Sequence, residues 1–97
     1  MARPELLSES EINDLLSEIN LWELRGTTIV REVSAPNFAM AIGIVNSIAV
    51  LAEKLDHHPD IYIYGWNKIR ITLSTHDKGG LTKLDFDLAK LIDNLNI

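Results

Sequence analysis

The chain has no cysteine, which excludes disulfide staples, thiol nucleophiles and thiolate metal sites. Proline and glycine are sparse and form no tract, so no linker, repeat or low-complexity segment divides the sequence. Positive charge is the scarcer sign. Nine Lys and Arg stand against fourteen Asp and Glu, a formal net charge of −5 at pH 7. Scattered positives on an acidic chain argue against a surface that binds nucleic-acid phosphates. The opening "MARPELLSESE" lacks a long apolar stretch and turns acidic early, unlike a signal peptide. The longest apolar-rich run, around residues 38–52, is broken by Asn46 and Ser47 and reads as a buried helix rather than a membrane span. These absences lead to the expectation of a cytoplasmic protein with no membrane and no direct nucleic-acid partner.

What is present fits one folded domain over residues 1–97, with 46% hydrophobic residues. A core of this size is modest, and self-association would add to it. In "SESEINDLLSEI", Ser8 can cap a helix and Glu11 can reach back to it. Ile12, Leu15, Leu16 and Ile19 follow at helical spacing, so a helix is expected over roughly 8–20. "LWELRG" and "TTIVREVS" read as a hairpin turning at Gly26. Ile29, Arg31 and Val33 lie on one side of its second arm. Pro36 and Asn37 open a helix running to about Lys54. Its apolar residues cover an arc of roughly 200°, about twice the usual one-sided stripe. That width suggests one flank on the sheet and another against a helix or a second subunit. After Pro59, "IYIYGW" and "KIRITLSTH" read as two strands. Ile69, Ile71, Leu73 and Thr75 share one face of the second, and Lys68, Arg70, Thr72, Ser74 and His76 the other. Thr82 can cap a last helix with Leu84, Leu88, Leu91, Ile92 and Leu95 on its buried side. The order α-β-β-α-β-β-α, built from hairpins, implies an α+β fold: a four-stranded antiparallel sheet with helices packed on one face.

All three histidines fall at element ends. His57 and His58 follow the central helix, and His76 closes the last strand. Imidazole exchanges protons near neutral pH. If the last strand ends beside the central helix, the three rings meet in one pocket, with Glu53, Asp56, Asp60 and Asp85 at hand. Blander roles compete. A His pair after a helix can serve the final carbonyls, and His76 can be a solvated strand end. Asp85 sits where a capping carboxylate belongs, three residues after Thr82. Trp22 and Trp66 are more often packing residues than ligand platforms. Three His and a carboxylate could also hold zinc or iron. However, adjacent histidines diverge and no HxH or HxxxH spacing occurs, so no metal is expected. Ser74 and Thr75 precede His76 without a nucleophile-elbow motif, and Gly79–Gly80 is too short to cradle a phosphate.

One spaced set carries a resemblance: Glu53, three residues, His57, His58 and Pro59, six residues, Trp66, nine residues, His76, eight residues, Asp85. With the strings "AEKLDHHPD" and "NKIRITLSTHDKGGLTKLDFDLA", this resembles the signature of the pterin-4a-carbinolamine dehydratases. Trp22, Ile29, Arg31, Val33, Phe38 and Ala41 fit upstream, so the resemblance covers about residues 20–95. The chain departs from the pattern in two places. Position 61 is Ile where some members carry an aromatic, and the stretch from Pro59 to Trp66 is one residue longer than in the animal enzymes.

The resemblance implies a hydro-lyase. It would dehydrate 4a-hydroxytetrahydropterin to quinonoid dihydropterin and water, recycling the pterin of aromatic amino acid hydroxylases. The pterin is then the substrate, and no cofactor is implied. His57 and His76 would be the acid/base pair and His58 would bind and orient the ring. Asp85 would hold His76 and favour its cation, and Glu53 would orient His57. Asp56, Ser74 and Thr75 would offer hydrogen bonds to the pterin's amide edge, partly through backbone groups, and Trp66 would wall the site. The family also implies a homodimer or homotetramer. Some animal members act as dimerisation cofactors, so a protein-binding module, coactivator or assembly factor is the alternative reading.

Overall fold

Ser8 and Glu11 form the expected capping box: the Ser8 hydroxyl accepts from the Glu11 N–H and the Glu11 carboxylate accepts from the Ser8 N–H. The computed structural model, which describes residues 4–97, starts from this cap. Its elements are α1 (Glu9–Leu16), β1 (Glu23–Arg25), β2 (Thr28–Ser34), α2 (Phe38–Leu55), β3 (Asp60–Tyr64), β4 (Lys68–Leu73), a single 3-10 turn (His76–Lys78) and α3 (Lys83–Asp93). All strand pairs are antiparallel, in the order β1-β2-β4-β3. The fold is the expected α-β-β-α-β-β-α arrangement.

Alternation along β2 and β4 builds the core. Ile29 and Val33, with Ile69, Ile71 and Leu73, are buried on one face of the sheet. Ala41, Ile48 and Ala52 of α2 and Phe86, Leu88, Ala89 and Ile92 of α3 belong to the same cluster. Each Ile, Leu, Val or Phe among them contributes roughly 1.5–3 kcal/mol when fully removed from water, and each Ala less. Arg31 shares this buried side and is satisfied there. It donates to Asp93 Oδ1 at 2.7 Å and to the Ile97 carbonyl at 2.6 Å, and Trp22 Nε1 donates to the same Asp93 oxygen at 2.9 Å. The opposite sheet face carries Tyr62 stacked on Tyr64, with the Arg70 guanidinium over both rings. Arg70 also donates to Glu32 at 2.6 Å and thereby holds that carboxyl below its usual range.

Three expectations change. The first helix ends at Leu16, not near residue 20. Glu18 N–H bonds the Leu15 carbonyl and Ile19 N–H bonds that of Leu16, a tightening that turns Ile19 into the core. The last strand ends at Leu73, before Ser74, Thr75 and His76. There Thr75 bridges to Gly80, and Gly79 closes the turn in the left-handed region at φ 72°. Third, α2 is not buried across its wide apolar arc. It is long and apolar enough to cross a membrane by length and composition. Ala41, Ile48 and Ala52 are buried in the core, while Phe38, Met40, Ile42 and Val50 are exposed.

Candidate active site

The last turn of α2 sets the first wall of the site. Asp56 caps the helix in the left-handed region at φ 49°, a conformation that Asp tolerates better than most residues. Its N–H bonds the Glu53 carbonyl, and the His57 N–H bonds that of Ala52. The reversal drives His57 inward and leaves His58 outside. His57 is 4% exposed, whereas the His58 side chain is 57% exposed. Pro59 then releases the chain into β3.

The second wall follows from strand register. Asp60 at the start of β3 pairs with Thr72 of β4. Residues 57–59 therefore lie beside the chain that leaves β4. His57, His58, Ser74, His76 and Asp77 line one cleft of about 280 Å³. All three imidazoles lie on its walls.

The carboxylates are distributed differently from the expectation. Asp85 meets His57, not His76: its Oδ1 lies 2.5 Å from His57 Nε2. Glu53 meets His58, not His57, with 2.8 Å between Oε1 and Nε2. The cause is the position of the N-terminal turn of α3, which passes beneath the buried His57 ring. His76 lies outside, on the exposed 3-10 turn. Glu53 is exposed on α2 and reaches only the exposed ring of the pair.

Asp85 is fully buried and completes a capping box with Thr82. Its Oδ2 accepts from Thr75 Oγ1 and from the Thr82 N–H, both at 2.9 Å. The capping role and the histidine contact thus use different oxygens of one carboxylate.

Three expected binding residues are not among the lining of the cleft. Thr75 is 1% exposed and its hydroxyl faces Asp85 and Thr82 instead of the opening. Asp56 is exposed at the helix cap. Trp66 lies in the β3–β4 turn, next to the Tyr64–Lys68 pair, at the opposite end of the hairpin from Asp60 and Thr72. It is 62% exposed there. A five-residue strand spans about 17 Å, which is too far for Trp66 to wall the cleft from its own hairpin. Conversely, Asp77 lines the cleft and was not expected to. Its signal was adjacency to His76 at the start of a turn ending in Gly79–Gly80.

Comparison with known proteins gives the chain a family and its fold a counterpart. A family model described as "Pterin 4 alpha carbinolamine dehydratase" matches residues 5–95. A relative from Roseiflexus castenholzii, given provisionally by its name as a pterin-4-alpha-carbinolamine dehydratase, is 46% identical over 90 residues, 93% of this chain and 96% of its own length. The crystal structure of a transcriptional coactivator/pterin dehydratase from Brucella melitensis superposes with a TM-score of 0.87 at 34% identity, covering 94% of this chain and 98% of that one. A pterin dehydratase-like protein identified as a RuBisCO assembly factor in the alpha-carboxysome shares the fold alone, with a TM-score of 0.60 and 20% identity over 76% of this chain and 84% of that one.

Proposed function

This chain belongs to the pterin 4 alpha carbinolamine dehydratase family, and on that premise we propose that it eliminates water from a 4a-hydroxytetrahydropterin by histidine acid/base catalysis. The observation that carries the reading is the single cleft bounded by His57, His58 and His76. In the elimination the C4a hydroxyl takes a proton and leaves as water. N5 gives up its proton, and the electron pair forms the C4a–N5 double bond of quinonoid dihydropterin. One proton enters and one leaves, so no oxidant or reductant is required. Groups that titrate near neutral pH suit both transfers.

His57 and His76 are the proposed pair, one from each wall. Asp85 fixes the His57 ring and stabilises the positive charge it carries after taking a proton. His58, tied to Glu53 and exposed at the rim, orients the pterin. Ser74 and Asp77 supply polar contacts to the bicycle. The carboxylate of Asp77 is suited to accept hydrogen bonds from the amino-pyrimidine edge. The test is to generate the carbinolamine with an aromatic amino acid hydroxylase and follow its loss. The expected result is acceleration over the uncatalysed rate, unchanged by a chelator. No acceleration, with no pterin binding by titration, would overturn the reading.

The exposed Phe38, Met40, Ile42 and Val50 on α2 support self-association as a homodimer or a dimer of dimers, because four large apolar side chains on one helix gain by being covered. Sedimentation at micromolar concentration should give a mass of two or four chains. A monomer alone would exclude this assembly.

A further inference from the structure

Beneath the cleft lies a buried set of hydroxyls that forms no part of its lining. Thr75 and Thr82 are 1% and 0% exposed. Thr75 Oγ1 lies 2.8 Å from Thr82 Oγ1 and 2.9 Å from Asp85 Oδ2. The Leu84 N–H approaches Thr82 Oγ1 at 3.3 Å, and the Thr82 N–H approaches Asp85 Oδ2 at 2.9 Å.

Hydrogen bookkeeping gives this set a direction. Each hydroxyl has one proton. Thr75 donates its proton to Asp85, so it must accept at its contact with Thr82. Thr82 then donates to Thr75 and accepts from the Leu84 N–H. The chain runs one way, from the backbone of α3 through Thr82 and Thr75 into Oδ2 of Asp85. Oδ2 takes two donors, so the carboxylate is an acceptor on that side. With the carboxylate in its ionised form, Oδ1 accepts from His57, and that contact places a hydrogen at Nε2.

We propose that Thr75 is a positioning residue for the dehydration: its hydroxyl locks the Asp85 carboxylate and, through it, holds His57 in one ring orientation with the proton on Nε2. This deepens the proposed function and rests on it for the catalytic consequence. The tautomer is a property of the resting protein and needs no substrate. Thr75 itself does not touch the cleft.

Valine has nearly the shape of threonine but no hydroxyl. In Thr75→Val, Oδ2 loses one of its two donors and Thr82 loses its acceptor, so the carboxylate is held less firmly, by the Thr82 N–H and His57 alone. The kcat should fall about tenfold or more, as expected for losing a buried hydrogen bond to a charged group, with KM within about twofold. Thr75→Ser, which keeps the donor, should recover most of the rate. Nitrogen-15 NMR of the imidazoles should show His57 as the single Nε2–H form in the wild type and in Thr75→Ser, and a mixture in Thr75→Val. If Thr75→Val does not fold, Thr75→Cys, which has the outline of serine with only a weak donor, is compared with Thr75→Ser instead. A merely structural role would lower the melting temperature while leaving the His57 signature and kcat intact, and that outcome overturns the proposal. If the wild type has no dehydratase activity but the NMR signature collapses in Thr75→Val, the positioning chain stands and the functional reading fails.

Discussion

Replacing His57 or His76 with alanine should each slow carbinolamine dehydration by about 10²–10⁴-fold, the range that a positioned acid or base contributes. The two variants differ in what else they disturb. His76 is exposed on the 3-10 turn, so His76→Ala should melt close to the wild type. His57 is buried against Asp85. Its removal leaves Oδ1 without that donor in a dry setting, at a cost of about 1–3 kcal/mol. Activity of His57→Ala is therefore measured below its own melting transition and compared per folded molecule. His58→Ala should act mainly on KM, because its ring is exposed and tied to Glu53 at the rim. Stopped-flow decay of the carbinolamine gives all three. Wild-type rates in both His57→Ala and His76→Ala would remove them as the acid/base pair.

The fold was legible where local chemistry decides. Ser8 with Glu11 and Thr82 with Asp85 announced two helix starts, and both are formed capping boxes. Alternation at Ile69, Ile71 and Leu73 identified the core face of β4. Legibility failed where backbone direction overrules pattern. Alternation runs on through Thr75 and His76, yet the chain leaves the sheet at Leu73, because a turn closed by Gly79 needs those residues. The width of the α2 arc indicated a second apolar contact surface but not its occupant, so much of that face is open on the isolated chain.

The candidate site divides in the same way. That three imidazoles share a cleft followed from element ends and strand register. Which carboxylate serves which ring did not, since spacing along the chain is silent on how α3 crosses beneath α2. Asp85 is nine residues from His76 and twenty-eight from His57, and it pairs with the more distant one. Trp66 misled for a related reason: a hairpin carries its turn away from its open end, and here the open end bears the histidines.

The Asp85 carboxylate should therefore be the most sensitive single position, and two substitutions separate its duties. Asp85→Ala removes the acceptor for Thr75 Oγ1, the Thr82 N–H and His57 Nε2 together, and also abolishes the α3 capping box. With several buried polar groups stripped of one partner, the loss should be roughly 3–5 kcal/mol, read as a lower urea midpoint with an unchanged slope. Asp85→Asn tests the chemistry in a folded protein. The asparagine oxygen can still accept from Thr75 and Thr82, which turns its NH₂ toward His57. His57 Nε2 must then accept instead of donate, and the ring proton moves to Nδ1. Geometry survives with the wrong tautomer, so kcat should fall by up to about 10⁴-fold, the size of the same error in serine proteases. Imidazole nitrogen NMR should report the exchange directly. An Asp85→Asn protein with wild-type kcat would show that the Asp85–His57 pair holds the fold and takes no part in the proton transfers.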